Sequence, residues 1–401
     1  MIFKLALRNL TRSPRRTFAA LMTIALGSGS LCIFNGFNHG IMNQYKQNTI
    51  HARYGHGQIH EKNYRNQVYE KPWDHWISDW REMARELKQI PHVNHVFPRV
   101  QFFSLLTNGK VTVSGKAQGV DGKEESQFFN TLNIEQGVNL SDQRDGILLG
   151  QGLARSLDLK VGDRVTLLTN TVYGSMNAAD LTVVGIFHTG QKEFDDNLFR
   201  IPLDQALRLL DTQKVESIAL GLDSDHAWSE VAQAILSRWP NLDAIPFEVL
   251  DRVYYQNSVD WLKSQFAMIR IIILTIVILG IFNTVSTSLL DRKQELGNLR
   301  ANGDSSQDVL RLLLCEGLVL GLLGGALGIM GSLVIQKWIL GHGILMPPAP
   351  GLTRQFHVFI EIETEMIITA FTLGAIASFL ATFFAAYQLS KAPIAVSLRS
   401  V

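Results

Sequence analysis

The stretch LCEGLVLGLLGG, residues 314–325, lies inside an apolar run that extends over residues 309–340. This run exceeds the ~20 residues that a helix needs to cross a hydrocarbon core. Glycines recur within it every four residues, at Gly317, Gly321 and Gly325. The spacing lets two helix backbones approach closely in lipid, so we expect these glycines to pack against a neighbouring helix, within the chain or across a dimer. Glu316 is expected to face a partner group, because a carboxylate inside a spanning helix avoids lipid.

Three further apolar runs have a similar composition, at residues 18–37, 266–290 and 366–389. Buried helices of a globular protein are the alternative interpretation, but such helices average only about a dozen residues. The sequence therefore predicts four transmembrane helices. The mean hydropathy of +0.10 over 401 residues is too low for a chain that lies mostly in a membrane. A sizeable water-exposed domain must accompany the spanning helices.

Basic residues decide the predicted orientation. Five of them precede the first run, before any acidic residue: Lys4, Arg8, Arg12, Arg15 and Arg16. This bias predicts a cytoplasmic N-terminus, and an even number of crossings returns the C-terminus to the same side. A cleaved signal sequence would also begin with basic residues, but the first run is too long and no small-x-small site follows a short apolar stretch.

Three segments follow from this topology. Residues 1–38 hold an amphipathic surface helix, which brings Ile2, Ala6 and Leu10 to one face, and the first spanning helix. Residues 39–265 form an extracytoplasmic domain. Residues 266–401 hold the remaining spanning helices and a polar elbow at about residues 292–304.

The extracytoplasmic segment alternates strand-like and helix-like stretches, which predicts an α+β domain. The strand-like stretches are residues 93–106, 110–120, 146–149, 164–169 and 181–187. The helix-like stretches are residues 77–89, 151–157, 204–211 and 225–238. An aromatic cluster of Trp73, His75, Trp76 and Trp80 has two interpretations: a contact with lipid or with a ligand acyl chain, or the core beneath the first of these helices.

No motif in the sequence predicts a catalytic, cofactor or metal site. The nucleotide-binding pattern G-x-x-x-x-G-K-[ST] does not occur, so any ATP that drives this protein is expected in another chain. His51, His56 and His60 invite a metal interpretation, but they straddle two glycines in a strand-like stretch and need not share a face. The net charge of +1 gives no reason to expect nucleic acid as a partner.

The elbow is the stretch DRKQELGNLRANG, residues 291–303, which directly follows the second apolar run. We expect a short helix against the membrane face, followed by a third spanning helix that Asp304 or Ser305 caps. The predicted partners of Glu316 are Arg292, Arg300 and Arg311, which lie near the cytoplasmic end of that helix.

Taken in order, these stretches resemble the FtsX/MacB-like permeases, also called type VII ABC transporters. The resemblance covers nearly the whole chain and is closest to the lipoprotein-releasing branch. The stretches that carry it are residues 5–17, 292–303 and 314–325, residues 147–154, 159–163 and 183–190 of the external domain, and the tail 392–399, where Val396-Ser397 departs from the family pattern.

The resemblance implies an α-helical membrane protein with four transmembrane helices and an α+β extracytoplasmic domain of MacB-like periplasmic type. It implies a permease subunit of the bacterial inner membrane that forms a homodimer, or a heterodimer with a paralogous permease. A separate cytoplasmic ABC ATPase would hold the ATP and Mg. The implied substrate is a lipoprotein or another amphiphile, which a periplasmic carrier receives. The residues that would meet the ATPase are Glu295, Leu296, Gly297, Arg300, Ala301 and Gly303, with Glu316 beneath them.

Three alternatives remain open from the sequence. A tripartite efflux permease belongs to the same family but usually carries a fused ATPase. A mechanotransmission regulator would relay ATP hydrolysis to a cell-wall hydrolase, and it tends to have a smaller external domain. A membrane receptor or adhesion module would need no ATPase, and charge changes in its elbow would have no effect.

Overall fold

The computed structural model describes residues 2–67, 71–130, 132–140, 145–252, 257–347, 353 and 355–390. The chain divides into two compact units. The membrane unit comprises Met1–Asn43, Val259–Met346 and His357–Val401, and the external unit comprises Gln44–Ser258 and Pro347–Phe356. The tail motif at residues 392–399 lies outside the described residues.

The helices are given in chain order. They are α1 (Ile2–Arg12), α2 (Pro14–Thr49), α3 (Tyr64–Gln67), α4 (Trp80–Leu87), α5 (Gly122–Phe128), α6 (Gln151–Ser156), α7 (Lys192–Asn197), α8 (Leu203–Leu210), α9 (Trp228–Arg238), α10 (Phe247–Leu250), α11 (Asn257–Asp291), α12 (Lys293–Ala301), α13 (Ser306–Trp338) and α14 (Thr364–Ser390). A π-helical turn, Ile50–Tyr54, continues α2, and 3₁₀ turns form at Pro72–His75 and Asp225–Ala227.

Within the described residues, four helices are long and apolar enough to cross a membrane: α2, α11, α13 and α14. The four predicted spans are thereby confirmed. The helices extend past the predicted apolar runs, since α2 continues to Thr49 and α11 begins at Asn257. No proline interrupts either extension, and adding a residue to an existing helix needs no new nucleation.

The strands, also in chain order, are β1 (Gly57–Glu61), β2 (Val93–Thr107), β3 (Thr112–Val120), β4 (Asn133–Gly137), β5 (Gly146–Gly150), β6 (Arg164–Asn170), β7 (Met176–His188), β8 (Leu198–Pro202), β9 (Ser217–Leu222), β10 (Leu242–Pro246), β11 (Ile344–Met346) and β12 (Phe356–Val358). In the part of the external unit that is described, β1 to β10 form one sheet in the order β10-β1-β9-β2-β3-β8-β5-β7-β4, and β6 pairs with β2 and β7. The β3–β8 and β5–β7 pairs are parallel and the other pairs are antiparallel. This mixed sheet with its helices confirms the predicted α+β class.

The core of the external unit lies between the sheet and its helices. Trp76 is buried in this core, and Trp73 and Trp80 pack against it. The aromatic cluster is therefore core rather than a lipid contact.

Three charged side chains meet inside the external unit: Arg99, Glu125 and Arg200. In this buried triad, Glu125 accepts from Arg99 Nε and lies 3.2 Å from Arg200 Nη1. The exposed fraction of each of the three residues is 3% or less.

Candidate coupling site

The elbow between α11 and α13 is a compact helical turn whose end is defined by backbone geometry. The Gly303 amide donates to the Arg300 carbonyl and the Asp304 amide donates to the Leu299 carbonyl, each at 3.2 Å. Gly303 has a φ of +110°, a conformation that side-chain-bearing residues rarely adopt. This is a Schellman motif, which satisfies the last carbonyls of α12.

The next helix starts at once after this motif. Ser305 Oγ accepts from the Asp308 amide at 3.2 Å and so caps α13. The path from α12 to α13 is therefore fixed at both helix ends. The predicted cap is confirmed as Ser305 rather than Asp304.

An ion pair inside the membrane unit attaches the elbow to α13. Arg292 Nη1 donates to Glu316 Oε2 at 2.6 Å, and Glu316 is 5% exposed. Arg292 Nε also donates to Glu295 Oε2 at 3.1 Å. Burial alone would lower the pKa of Arg292, but hydrogen bonds and charge from Glu316 and Glu295 outweigh burial and raise this pKa. Arg292 is thus charged, and it joins both carboxylates at the elbow.

Arg292, one of the three predicted arginine partners of Glu316, bonds to its carboxylate. Arg311 Nη1 instead lies 3.9 Å from Oδ1 of Asp308, the residue three positions earlier in α13. Both side chains are exposed. Arg292 immediately precedes α12, and its side chain reaches Glu316, which lies about three turns into α13.

Apolar packing also holds the elbow against the membrane unit, next to this ion pair. Leu296 is 4% exposed and belongs to a cluster that includes Leu289 and Leu313. Gly297 is buried as well. The opposite side of α12 exposes Asn298, Ala301 and Gly303, while Glu295 and Arg300 are half-buried.

The six residues named from the sequence therefore fall into two groups. Leu296 and Gly297 lie inside the membrane unit, whereas Ala301 and Gly303 lie on its surface with Glu295 and Arg300 beside them. Asn298 is an exposed neighbour that the sequence analysis missed. Its position one turn before Ala301 on the same helix would have indicated it.

The glycines of α13 lie where neighbouring helices approach most closely. A Cβ added at Gly317 would overlap Thr382, and one at Gly321 would lie 3.0 Å from Ser378 Cβ. Ser378 Oγ also donates to the Gly317 carbonyl at 2.9 Å. A Cβ at Gly325 would lie 3.2 Å from Phe371. These three glycines therefore face α14.

A second set of glycines on α13 faces α2. A Cβ at Gly324 would lie 2.8 Å from Ile24, and one at Gly328 would overlap Ser28. In contrast, a Cβ at Gly331 would meet no atom within 4 Å. One helix is thus packed against two neighbours through small residues.

The histidines considered as metal ligands have other partners in the external unit. His56 Nδ1 accepts from the Leu222 amide at 3.0 Å, and its Nε2 lies 3.0 Å from Asp225 Oδ1. His51 Nδ1 lies 3.0 Å from the Phe128 carbonyl oxygen. His60 stacks on Tyr64 with ring centroids 5.1 Å apart. Across the described ranges, no group of three or more His, Cys, Asp or Glu residues is arranged to hold a metal ion.

The spanning helices, the external α+β unit and the helical elbow between α11 and α13 are the features expected of an ABC transporter permease. The sequence matches the MacB-like periplasmic core domain over residues 17–238 and the FtsX-like permease C-terminal domain over residues 267–394. The chain therefore belongs to the FtsX/MacB-like permease family.

Two lipoprotein-releasing relatives agree with this assignment. The chain is 23% identical to the lipoprotein-releasing system transmembrane protein LolE of Haemophilus influenzae, over 67% of this chain and 69% of LolE. It is 25% identical to LolC of Neisseria meningitidis over 98% of each chain. The periplasmic region of MacB from Actinobacillus actinomycetemcomitans aligns with 49% of this chain and 90% of its own length, with 12% identity and a TM-score of 0.37. The family and the spanning helices place the protein in the inner membrane of a bacterium.

Proposed function

We propose that this permease subunit couples ATP hydrolysis by a separate cytoplasmic ABC ATPase to the extraction or movement of a lipoprotein, or another amphiphile, on the periplasmic side. Both termini would lie in the cytoplasm, as the basic N-terminal segment indicates. The proposal rests on the structure of the elbow. One face of the elbow is exposed, and its other side is joined to α13 by the buried Arg292–Glu316 ion pair and the packing of Leu296.

The exposed face is the proposed docking surface for the ATPase. It consists of the exposed Asn298, Ala301 and Gly303 together with the half-buried Glu295 and Arg300. Leu296 and Gly297 support it from within the membrane unit, so their proposed role is to seat the elbow rather than to touch the partner.

The buried attachment is the proposed route for force. Displacing the elbow without moving α13 would separate Arg292 from Glu316 and expose Leu296. Separating a buried ion pair costs about 3–5 kcal/mol, and exposing a leucine costs about 2 kcal/mol more. A push on the elbow would therefore move α13 rather than detach from it.

Close packing would carry this motion to two neighbours. The glycine contacts of α13 leave little room for independent sliding against α14 and α2, because packed interiors resist gradual deformation. Since α2 is one helix from Pro14 to Thr49, a displacement of its first half would be passed along its length.

The proposed substrate rests on the relatives. Similarity to lipoprotein-releasing transmembrane proteins extends over nearly the whole chain. A lipoprotein that leaves the membrane exposes its acyl chains to water at about 0.8 kcal/mol per CH₂ group. A periplasmic carrier that covers the acyl chains is therefore a further proposed partner. The proposed assembly is a dimer, with a second copy or a paralogous permease.

Affinity purification of the tagged chain in mild detergent, followed by mass spectrometry and an ATPase assay, tests the proposal. We expect an ATP-binding subunit to co-purify, together with lipoprotein. Glu295→Lys should abolish the ATPase activity of the complex, whereas Glu365→Lys, an exposed change at the start of α14, should preserve it. A wild-type chain that purifies alone and without ATPase activity would contradict the proposal and favour a receptor or adhesion role.

A further inference from the structure

We propose that the N-terminal helix α1 is part of the force-transmitting element, and that Asn9 is the positioning residue that locks it to the elbow and to α13. This inference rests on the proposed function and adds to it a third moving segment. The hydrophobic pattern of α1 alone indicates only a helix on the membrane surface. Its contacts with the elbow and α13 indicate that it moves together with them.

Two side chains of α1 reach the coupling site. Asn9 Nδ2 donates to Glu316 Oε1 at 2.7 Å. Arg12 Nη1 donates to Glu295 Oε1 at 3.1 Å. Since residues three apart share a helix face, Asn9 and Arg12 contact the coupling site from the same face of α1.

These contacts close a ring with the arginine of the elbow. Arg292 bonds to Glu295 on one side and to Glu316 on the other, and α1 bridges the same two carboxylates. The polar ring therefore consists of Asn9, Arg12, Arg292, Glu295 and Glu316. Neither the elbow nor α13 can shift relative to α1 without breaking at least one of its bonds.

The two contacts of α1 differ in strength. The Arg12 and Glu295 side chains are 79% and 43% exposed, and an exposed ion pair contributes little. Glu316 is buried, and a hydrogen bond to a buried carboxylate is among the stronger kinds. Asn9 therefore carries the attachment, and Arg12 supports it at the surface.

The surroundings of Asn9 fit a fixed position rather than a loose surface helix. Ala6, one turn earlier, is fully buried. Only Ser13 separates α1 from α2, and Thr17 Oγ1 donates back to the Leu10 carbonyl at 2.7 Å. This bond stiffens the corner, so a displacement of α1 passes directly to the start of α2.

A small cavity of about 40 Å³ adjoins the ring. Its lining combines polar residues, among them Asn9, Ser288 and Glu316, with apolar ones such as Leu10 and Leu313. A space of this size can hold water between the polar groups.

The experiment measures ATP-driven substrate release by the purified complex of this chain with its ATPase, reconstituted in liposomes. Asn9→Asp places a second carboxylate against Glu316, and the release rate should fall by the ~10- to 100-fold that loss of a charged hydrogen bond implies. The matched control is Thr11→Asp, which adds the same charge to an exposed position of α1. This control should release substrate at the wild-type rate.

The double variant Asn9→Asp with Glu316→Gln exchanges the amide and the carboxylate. The carboxylate, now on α1, would accept bonds from the new amide on α13 and from Arg292, so release should recover to within a few fold of wild type. A second readout, trypsin cleavage after Arg15 and Arg16, should accelerate in Asn9→Asp and return to normal in the double variant. It needs no ATPase and reports whether α1 is held in place.

Two results would overturn the inference while leaving the proposed function standing: unchanged release in Asn9→Asp, or a double variant as defective as Asn9→Asp. A wild-type complex that hydrolyses no ATP would instead refute the proposed function, and the inference with it. The trypsin readout would then still tell whether the ring holds α1 to the chain.

Discussion

Removing the carboxylate of Glu316 most directly tests how strongly the elbow is attached to α13. Glu316→Ala deletes the acceptor of Arg292 Nη1, at 2.6 Å, and of Asn9 Nδ2, at 2.7 Å. Glu316→Gln keeps an acceptor oxygen but removes the charge. Both variants leave Arg292 with Glu295 as its remaining carboxylate partner, at 3.1 Å.

The magnitude follows from burial. Breaking a buried ion pair costs about 3–5 kcal/mol. Since Arg292 retains the half-buried Glu295 as a partner, we expect Glu316→Ala to lower the free energy of unfolding of the membrane unit by about 2–4 kcal/mol. Glu316→Gln should cost about half as much, because one neutral hydrogen bond replaces a charged one.

The chain supplies its own reporter for this measurement. Cys32 is fully buried in α2, whereas Cys315 is only partly buried. In a Cys315→Ser background, a fluorogenic maleimide reacts with Cys32 only when the membrane unit opens. At roughly 2–4 °C per kcal/mol for a unit of this size, the midpoint of thermal labelling should fall by about 4–16 °C in Glu316→Ala.

The matched control is Glu365→Ala, which makes the same chemical change at an exposed site of the same unit. Its midpoint should stay within about 1 °C of the parent, as expected for a surface substitution. A Glu316→Ala midpoint equal to that of the control would refute the reasoning, because the ion pair would then contribute nothing to holding the elbow.

Three further predictions concern other parts of the chain. Glu125→Gln should destabilise the external unit by about 3–5 kcal/mol, because it leaves two buried arginines uncompensated, and faster hydrogen exchange of the β2 amides would reveal the loss. Gly328→Val should lower the Cys32 labelling midpoint far more than Gly331→Val, since only the first side chain would meet α2; equal effects would contradict the packing described. Burial lowers the pKa of His60 from 6.5 to about 4. Between these pH values the unfolded chain therefore binds a proton that the folded chain lacks. As a result, the free energy of unfolding should fall by up to about 3 kcal/mol as the pH drops from 6.5 to 4. Burial raises the pKa of Asp251 to about 6, which changes the free energy of unfolding in the opposite direction over this pH range. The test therefore compares the parent with His60→Phe, and the variant should lose less stability as the pH drops. Identical pH profiles of the two proteins would contradict the assignment.

The spanning helices and the elbow were predictable from the sequence because their signals are local. An apolar run longer than 20 residues has few alternatives, and a polar stretch between two such runs must turn at the membrane surface. The end of the elbow was also encoded locally, since Gly303 and Ser305 are typical of a helix end and a helix start.

Several strands of the external unit were not predictable for a physical reason. Every residue of β9 is buried, so the strand lacks the alternation that marks a half-exposed strand. Conversely, β4 is mostly exposed and has no apolar face. Pairing with neighbours in the sheet, rather than sequence pattern, defines both of them.

The polar ring was the least predictable feature. Asn9 and Glu316 are 307 positions apart, and nothing in the pattern of α1 singles out its asparagine. The division of the elbow residues into seated and exposed groups also needed the structure, because Leu296 and Gly297 stand among polar neighbours that give α12 no continuous apolar stripe.

Site-specific photo-crosslinking from the elbow is the most direct test that this helix docks an ATPase. A photoreactive amino acid at Ala301, on the exposed face, should capture a nucleotide-binding subunit in native membranes, and nucleotide should change the yield. The same amino acid at the buried position Leu296 should capture no such subunit. A complex that remains active while neither Ala301 nor Asn298 captures a nucleotide-binding subunit would contradict the proposed role of the elbow.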